Sequence, residues 1–80
     1  MTESKVQKKK IDELEAQGYY VIKLISTNKN GIPDLLALKK GCVPWFIEVK
    51  KKNGKASELQ KYRIKELKKH GFIAEIFVGD

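Results

Sequence analysis

Gly31 to Lys52 reads GIPDLLALKKGCVPWFIEVKKK. Its apolar residues fall into two runs, and the pattern predicts a hairpin in which Leu35 to Lys39 pairs with Val43 to Lys51 across Lys40-Gly41-Cys42. Pro44 fits only near a strand start or on an edge, because it has no N–H to donate. Three ionisable residues, Asp34, Glu48 and Lys50, stand among the apolar ones. Side chains on a strand alternate, so Glu48 and Lys50 share a face with Phe46, while Ile47 and Val49 occupy the other. Asp34 lies at a strand end, where the hairpin can bring it next to Glu48. Two carboxylates that close repel unless a cation lies between them. Oxygen ligands of this kind suit a hard ion such as Mg²⁺, and the nearby Lys50 ammonium could orient a water or stabilise negative charge on a phosphate.

The same reading extends outward from the hairpin. Glu3 to Gln17 is rich in helix formers, holds no Pro or Gly and stops at Gly18, so it predicts a helix. Tyr19 to Ile25 is β-branched and aromatic, which predicts a strand, and the polar Ser26 to Gly31 predicts a turn. Asn53-Gly54 breaks the chain, Ser57 to His70 reads as a helix ended by Gly71, and Phe72 to Val78 reads as a last strand. The expected fold class is α/β: an αβββαβ core in one domain over 1–80, with a mixed four-stranded sheet flanked by two helices.

Seventeen Lys and Arg against ten Asp and Glu give a net charge of +7 over 80 residues. The positive field favours polyanions, without choosing between DNA, RNA and acidic lipid. No apolar run approaches the roughly 20 residues of a membrane span, and the lysine-rich start lacks the apolar stretch of a signal peptide. A soluble, cytoplasmic protein is expected, with no membrane partner. The single Cys42 cannot form an internal disulfide, and with one His there is no zinc-ligand set. So short a chain buries only about 60% of its unfolded surface, which favours self-association.

Each motif has a plainer explanation. Glu-x-Lys on a strand is commonly a cross-strand pair, and Pro-Asp is a common turn dipeptide. Their joint occurrence on adjacent strands is what points to a site. Gly31-Ile-Pro-Asp34, Phe46-Ile-Glu-Val-Lys50 and Gln60 on the following helix together resemble the PD-(D/E)XK nuclease superfamily, and within it the VRR-NUC group of virus-type replication and repair nucleases. The resemblance implies a restriction-endonuclease-like core and an endonuclease that hydrolyses DNA with Mg²⁺ or Mn²⁺. It implies that Asp34, Glu48 and the backbone carbonyl of Val49 hold the metal, and that Lys50 positions the attacking water. Gln60 matches the family's glutamine, and Glu3 matches the acidic residue on its first helix. Standalone members act as homodimers on branched DNA such as four-way junctions, which becomes the expected substrate.

Helical geometry bears on the last two residues. Glu3, Gln7, Lys10 and Leu14 fall along one face of the first helix, and Leu59, Gln60, Arg63, Ile64 and Leu67 along one face of the second. Lys61, Lys65, Lys68 and Lys69 gather opposite, as a solvated face. Against a catalytic role, Ser57 to Gln60 also reads as a capping box, and Glu3 as a complement to the helix dipole. Lys51, Lys52 and Lys55 follow the proposed catalytic strand and are candidates for gripping phosphates. Tyr19, Tyr20, Trp45 and Tyr62 read first as core or contact residues, and His70 as a helix C-terminal dipole complement. Two other functions stay open: a catalytically silent nucleic-acid-binding module with this fold, and a small RNA-binding or ribosome-associated protein. The second explains the charge but not the acids; a binder has no need of the Asp34, Glu48 and Lys50 trio.

Overall fold

The computed structural model describes residues 1–79. Its elements follow the expected order: α1 (Glu3–Ala16), β1 (Tyr20–Lys23), β2 (Leu35–Leu38), β3 (Trp45–Lys50), α2 (Glu58–Lys69) and β4 (Ile73–Val78). Thr2 starts α1 by accepting the Lys5 N–H at 3.3 Å. Gly18 ends it at φ +93°, a left-handed conformation that glycine adopts without a Cβ clash.

The sheet order is β1-β2-β3-β4. The first three strands are antiparallel neighbours, and β4 joins β3 in parallel, so the sheet is mixed as expected. Register fixes two faces. Leu35, Ala37, Ile47 and Val49 are fully buried on one of them, under Val6 and Leu14 of α1. Burying a Leu, Ile or Val side chain stabilises by roughly 1.5–3 kcal/mol, so this cluster is the main apolar anchor of the fold. The other face carries Phe46, Glu48 and Lys50, paired with Ala74, Ile76 and Val78 of β4. Here α2 packs against β4, with Ile64 and Ala74 buried and Phe46 against Phe72.

Strand lengths differ from the sequence reading. The first strand spans Tyr20 to Lys23 rather than Tyr19 to Ile25, because its pairing with β2 begins at Tyr20 and ends where Lys23 meets Leu35. The Leu24 N–H then bonds the Asp34 C=O at 2.8 Å, and Ile25 swings outward, 88% exposed. The third strand begins at Trp45 rather than Val43, after Pro44, whose carbonyl instead accepts the Ile73 N–H at 3.1 Å. The hairpin closes with Cys42 N–H on Lys39 C=O at 3.0 Å, leaving Cys42 exposed at its tip. No helix among the described residues is long and apolar enough to cross a membrane.

Candidate active site

Asp34 is the residue immediately before β2, and Glu48 and Lys50 project from the same face of the adjacent β3. Past Ile47 the β2 ladder has ended; the register, if continued, would set Pro33 opposite Val49. The side chain of Asp34 takes over, its Oδ2 accepting the Val49 N–H at 2.9 Å. This bond ties the Asp34 carboxylate to the strand that carries Glu48.

Glu48 is 1% exposed, the most buried charged residue on that face. Burial in the low-dielectric interior, the hydrogen bond its acid form makes to Asp34 and the charge of Asp34 push its carboxyl up to about 8, against a smaller opposing pull from Lys50. The Lys50 Nζ stands 3.7 Å from Glu48 Oε2. With Glu48 ionised, the other oxygen, Oε1, is buried and accepts from no donor. A buried carboxylate with an unsatisfied oxygen is costly. Asp34 and Glu48 are the carboxylates that could hold a divalent cation, whose charge would offset the cost of burying them.

No group of three or more His, Cys, Asp or Glu side chains converges among the described residues. The two carboxylates are therefore the ionisable ligands available, a number that suits Mg²⁺, which keeps waters and takes substrate phosphate in its remaining positions.

The other expected residues take different places. Gln60 is in a capping box: its N–H donates to Ser57 Oγ at 3.1 Å, and its Oε1 accepts the Ser57 N–H at 2.9 Å. Glu3 stands half-buried in the first turn of α1. Val6, one turn further on, lies tight against Gly79, whose N–H bonds the Lys50 carbonyl at 2.8 Å. Glu3 thus sits toward the Lys50 end of the sheet, on the helix that covers the opposite face. Neither Gln60 nor Glu3 has a side-chain hydrogen bond or ion pair to the trio among the described residues. Lys51, Lys52 and Lys55 are exposed on the turn that follows β3, closed by the Gly54 N–H on the Lys51 carbonyl at 2.8 Å.

Two features of the site escape the sequence. One is the bond from Val49 to Asp34; its signal is that the apolar run begins one residue after Asp34. The other is an open cleft of about 380 Å³ beside Asp34, lined by the β1–β2 connection. Sequence marks that segment only as a polar turn.

An α/β domain with a mixed sheet, an acid before one central strand and a Glu-x-Lys on the next has the PD-(D/E)XK arrangement. The VRR-NUC domain family model matches residues 20–80, and the chain belongs to that family of nuclease-type domains. Two solved structures agree over nearly all of it. One, titled "VRR_NUC domain", is 35% identical at a TM-score of 0.83, covering 98% of this chain and 84% of its own. The other, titled "VRR_NUC domain protein", is 28% identical at a TM-score of 0.80, covering 99% and 79%. No curated protein matches.

Proposed function

We propose that the protein is a Mg²⁺- or Mn²⁺-dependent DNA endonuclease that hydrolyses phosphodiesters at branched sites, four-way junctions among them, as a homodimer. The observation that carries this reading is the buried Glu48, with Oε1 unsatisfied, beside Asp34 and within 3.7 Å of Lys50. A silent binding module would gain nothing from keeping that arrangement buried.

Asp34, Glu48 and the Val49 carbonyl are the residues that would hold the metal. The metal, when bound, supplies a Lewis acid for the phosphate and lowers the pKa of a bound water. The Val49 N–H keeps the Asp34 carboxylate oriented. Glu48 would hold the metal as its carboxylate, in place of the proton that its burial favours in the metal-free site. The Lys50 ammonium then orients the attacking water and offsets charge growing on the phosphate. Lys51, Lys52 and Lys55 grip neighbouring phosphates.

Support for a twofold assembly comes from β4. It is an edge strand, with Ile76 39% and Val78 51% exposed on its Glu48 face, and unprotected apolar edges favour pairing with another chain. The test is cleavage of flap, duplex and four-way DNA in Mg²⁺ and Mn²⁺. Metal-dependent cutting that Glu48→Gln abolishes supports the reading; DNA binding without cleavage in either metal rejects it in favour of the silent module.

A further inference from the structure

Seventeen residues of the chain are Lys or Arg, and Arg63 is the only arginine among them. Its side chain is 17% exposed. Nε donates to the Asn30 carbonyl at 2.8 Å, and Nη1 donates to Glu66 Oε1 at 3.0 Å. A planar guanidinium holds two such acceptors in a fixed geometry, which a flexible ammonium does not. The arginine thus stands where α2 meets the β1–β2 connection, on the stretch that leads into Asp34.

Little slack separates Asn30 from Asp34. Gly31 lies under Leu59 of α2 at φ +80°, so closely that a Cβ there would come within 2.7 Å of Leu59 Cγ. Pro33 is fully buried, and its ring holds φ at about −65°. The Asp34 carbonyl accepts the Leu24 N–H at 2.8 Å, and its Oδ2 accepts the Val49 N–H at 2.9 Å. The segment is therefore pinned from α2 at one end and from the sheet at the other. With Gly31 and Pro33 held between, a shift at Asn30 passes on to Asp34 instead of being absorbed. The buried Ile64 already anchors α2 to β4, so what the Arg63 bond adds is restraint on the connection.

We infer that Arg63 is a positioning residue for the metal centre: by holding the Asn30 carbonyl, it sets where the Asp34 carboxylate stands against Glu48. The inference rests on the proposed centre and deepens it. Losing a group that orients a metal ligand weakens metal binding by roughly 10–100-fold, and action through a stretch of backbone puts Arg63 at the lower end. Its own charge works the other way. A guanidinium repels a divalent cation, so by charge alone removing Arg63 would tighten metal binding, whereas loss of positioning loosens it.

Two readouts on the full chain test the role, and neither is cleavage. The first is Mn²⁺ affinity by titration calorimetry, at a temperature where the far-UV spectrum shows each variant folded. Arg63→Ala should bind about tenfold more weakly than the parent, and Arg63→Lys, which keeps the charge without the planar fork, should fall between them. Lys65→Ala, which removes a charge from the exposed face of the same helix, should not weaken binding. The second readout is amide exchange in metal-free buffer. The Val49 N–H is bonded to the Asp34 carboxylate, so in Arg63→Ala it should exchange about tenfold faster while the amides of the β3–β4 ladder keep the parent's rates; a general loosening of the fold would speed them all. Parent-like Mn²⁺ affinity in folded Arg63→Ala, or in Arg63→Lys where the alanine variant does not fold, overturns the role. So does a Val49 rate that is unchanged or rises only in step with the ladder. If the parent binds no Mn²⁺, the metal-centre reading falls, and Val49 exchange still decides whether Arg63 places Asp34.

Discussion

Exchanging Glu48 for Gln keeps its shape while removing both the proposed metal ligand and a proton-binding group, and the two losses show in different measurements. Glu48→Gln and Asp34→Asn should each abolish detectable cleavage while leaving the far-UV spectrum of the fold unchanged. If both cut as the parent does, the proposed centre is wrong. Lys50→Ala should slow turnover by about 10²–10³-fold without loss of metal affinity, since an ammonium is no ligand, and single-turnover rates with metal titrations separate the two effects. The second loss concerns stability. Glu48 titrates near 8 in the folded chain against 4.5 for an unperturbed glutamate, so between those values the folded state binds the extra proton. Its stabilising contribution is complete below 4.5 and declines as pH rises toward 8, by at most about 1.4 kcal/mol per pH unit, before levelling off. In metal-free buffer, urea midpoints should therefore fall from pH 5 to pH 8 more steeply for the parent than for Glu48→Gln. Parallel curves would show that Glu48 is not held protonated. Mg²⁺ or Mn²⁺ should raise the parent's melting temperature, most at pH 8, because metal and proton compete for the same carboxylate.

At the level of elements, the order, sheet class and strand faces could be read from the sequence because strand and helix periods are local signals. The alternation across Phe46 to Lys50 was enough to set Glu48 and Lys50 on one face and Ile47 and Val49 on the other. What could not be read depends on where pairing stops. Nothing local says that β1 ends at Lys23 or that Asp34 bonds the Val49 N–H, since both follow from a partner strand fifteen or so residues away. Gln60 shows a different limit: one residue satisfies two patterns, a capping box and a family glutamine, and the hydrogen bonds with Ser57 display the first without testing the second. Substitution can separate them. Glu at the third helical position also completes a capping box, whereas Ala does not. Gln60→Ala should lower stability by about 1 kcal/mol. Gln60→Glu should keep the melting temperature; if it also keeps the cleavage rate, Gln60 serves only the helix end, and if cleavage falls at unchanged stability, Gln60 acts at the site.

For the whole molecule, charge, edge and size combine. A net +7 on 80 residues favours polyanions, DNA among them, while β4 leaves an apolar edge on the strand next to the one bearing Glu48 and Lys50. An isologous contact through such an edge places two copies of the same centre about a twofold axis. A four-way junction also has approximate twofold symmetry, so each centre would meet one of two opposed strands, and two cuts would fall within one binding event. The consequence is kinetic. In a mixture of parent and Glu48→Gln subunits, a dimer with one working centre should bind the junction as the parent does yet leave a once-nicked product, because the second strand is held against an inactive site. Supercoiled plasmid carrying a cruciform reads this directly: paired cuts give linear DNA, and single cuts give the open circle. Parent protein should give mainly linear product, and the mixed dimer mainly open circle. Sedimentation at the assay concentration fixes the stoichiometry. A protein that sediments at the 9.2 kDa mass of one chain and still converts the cruciform to linear DNA in one binding event would overturn the paired arrangement and leave the chemistry of a single centre intact.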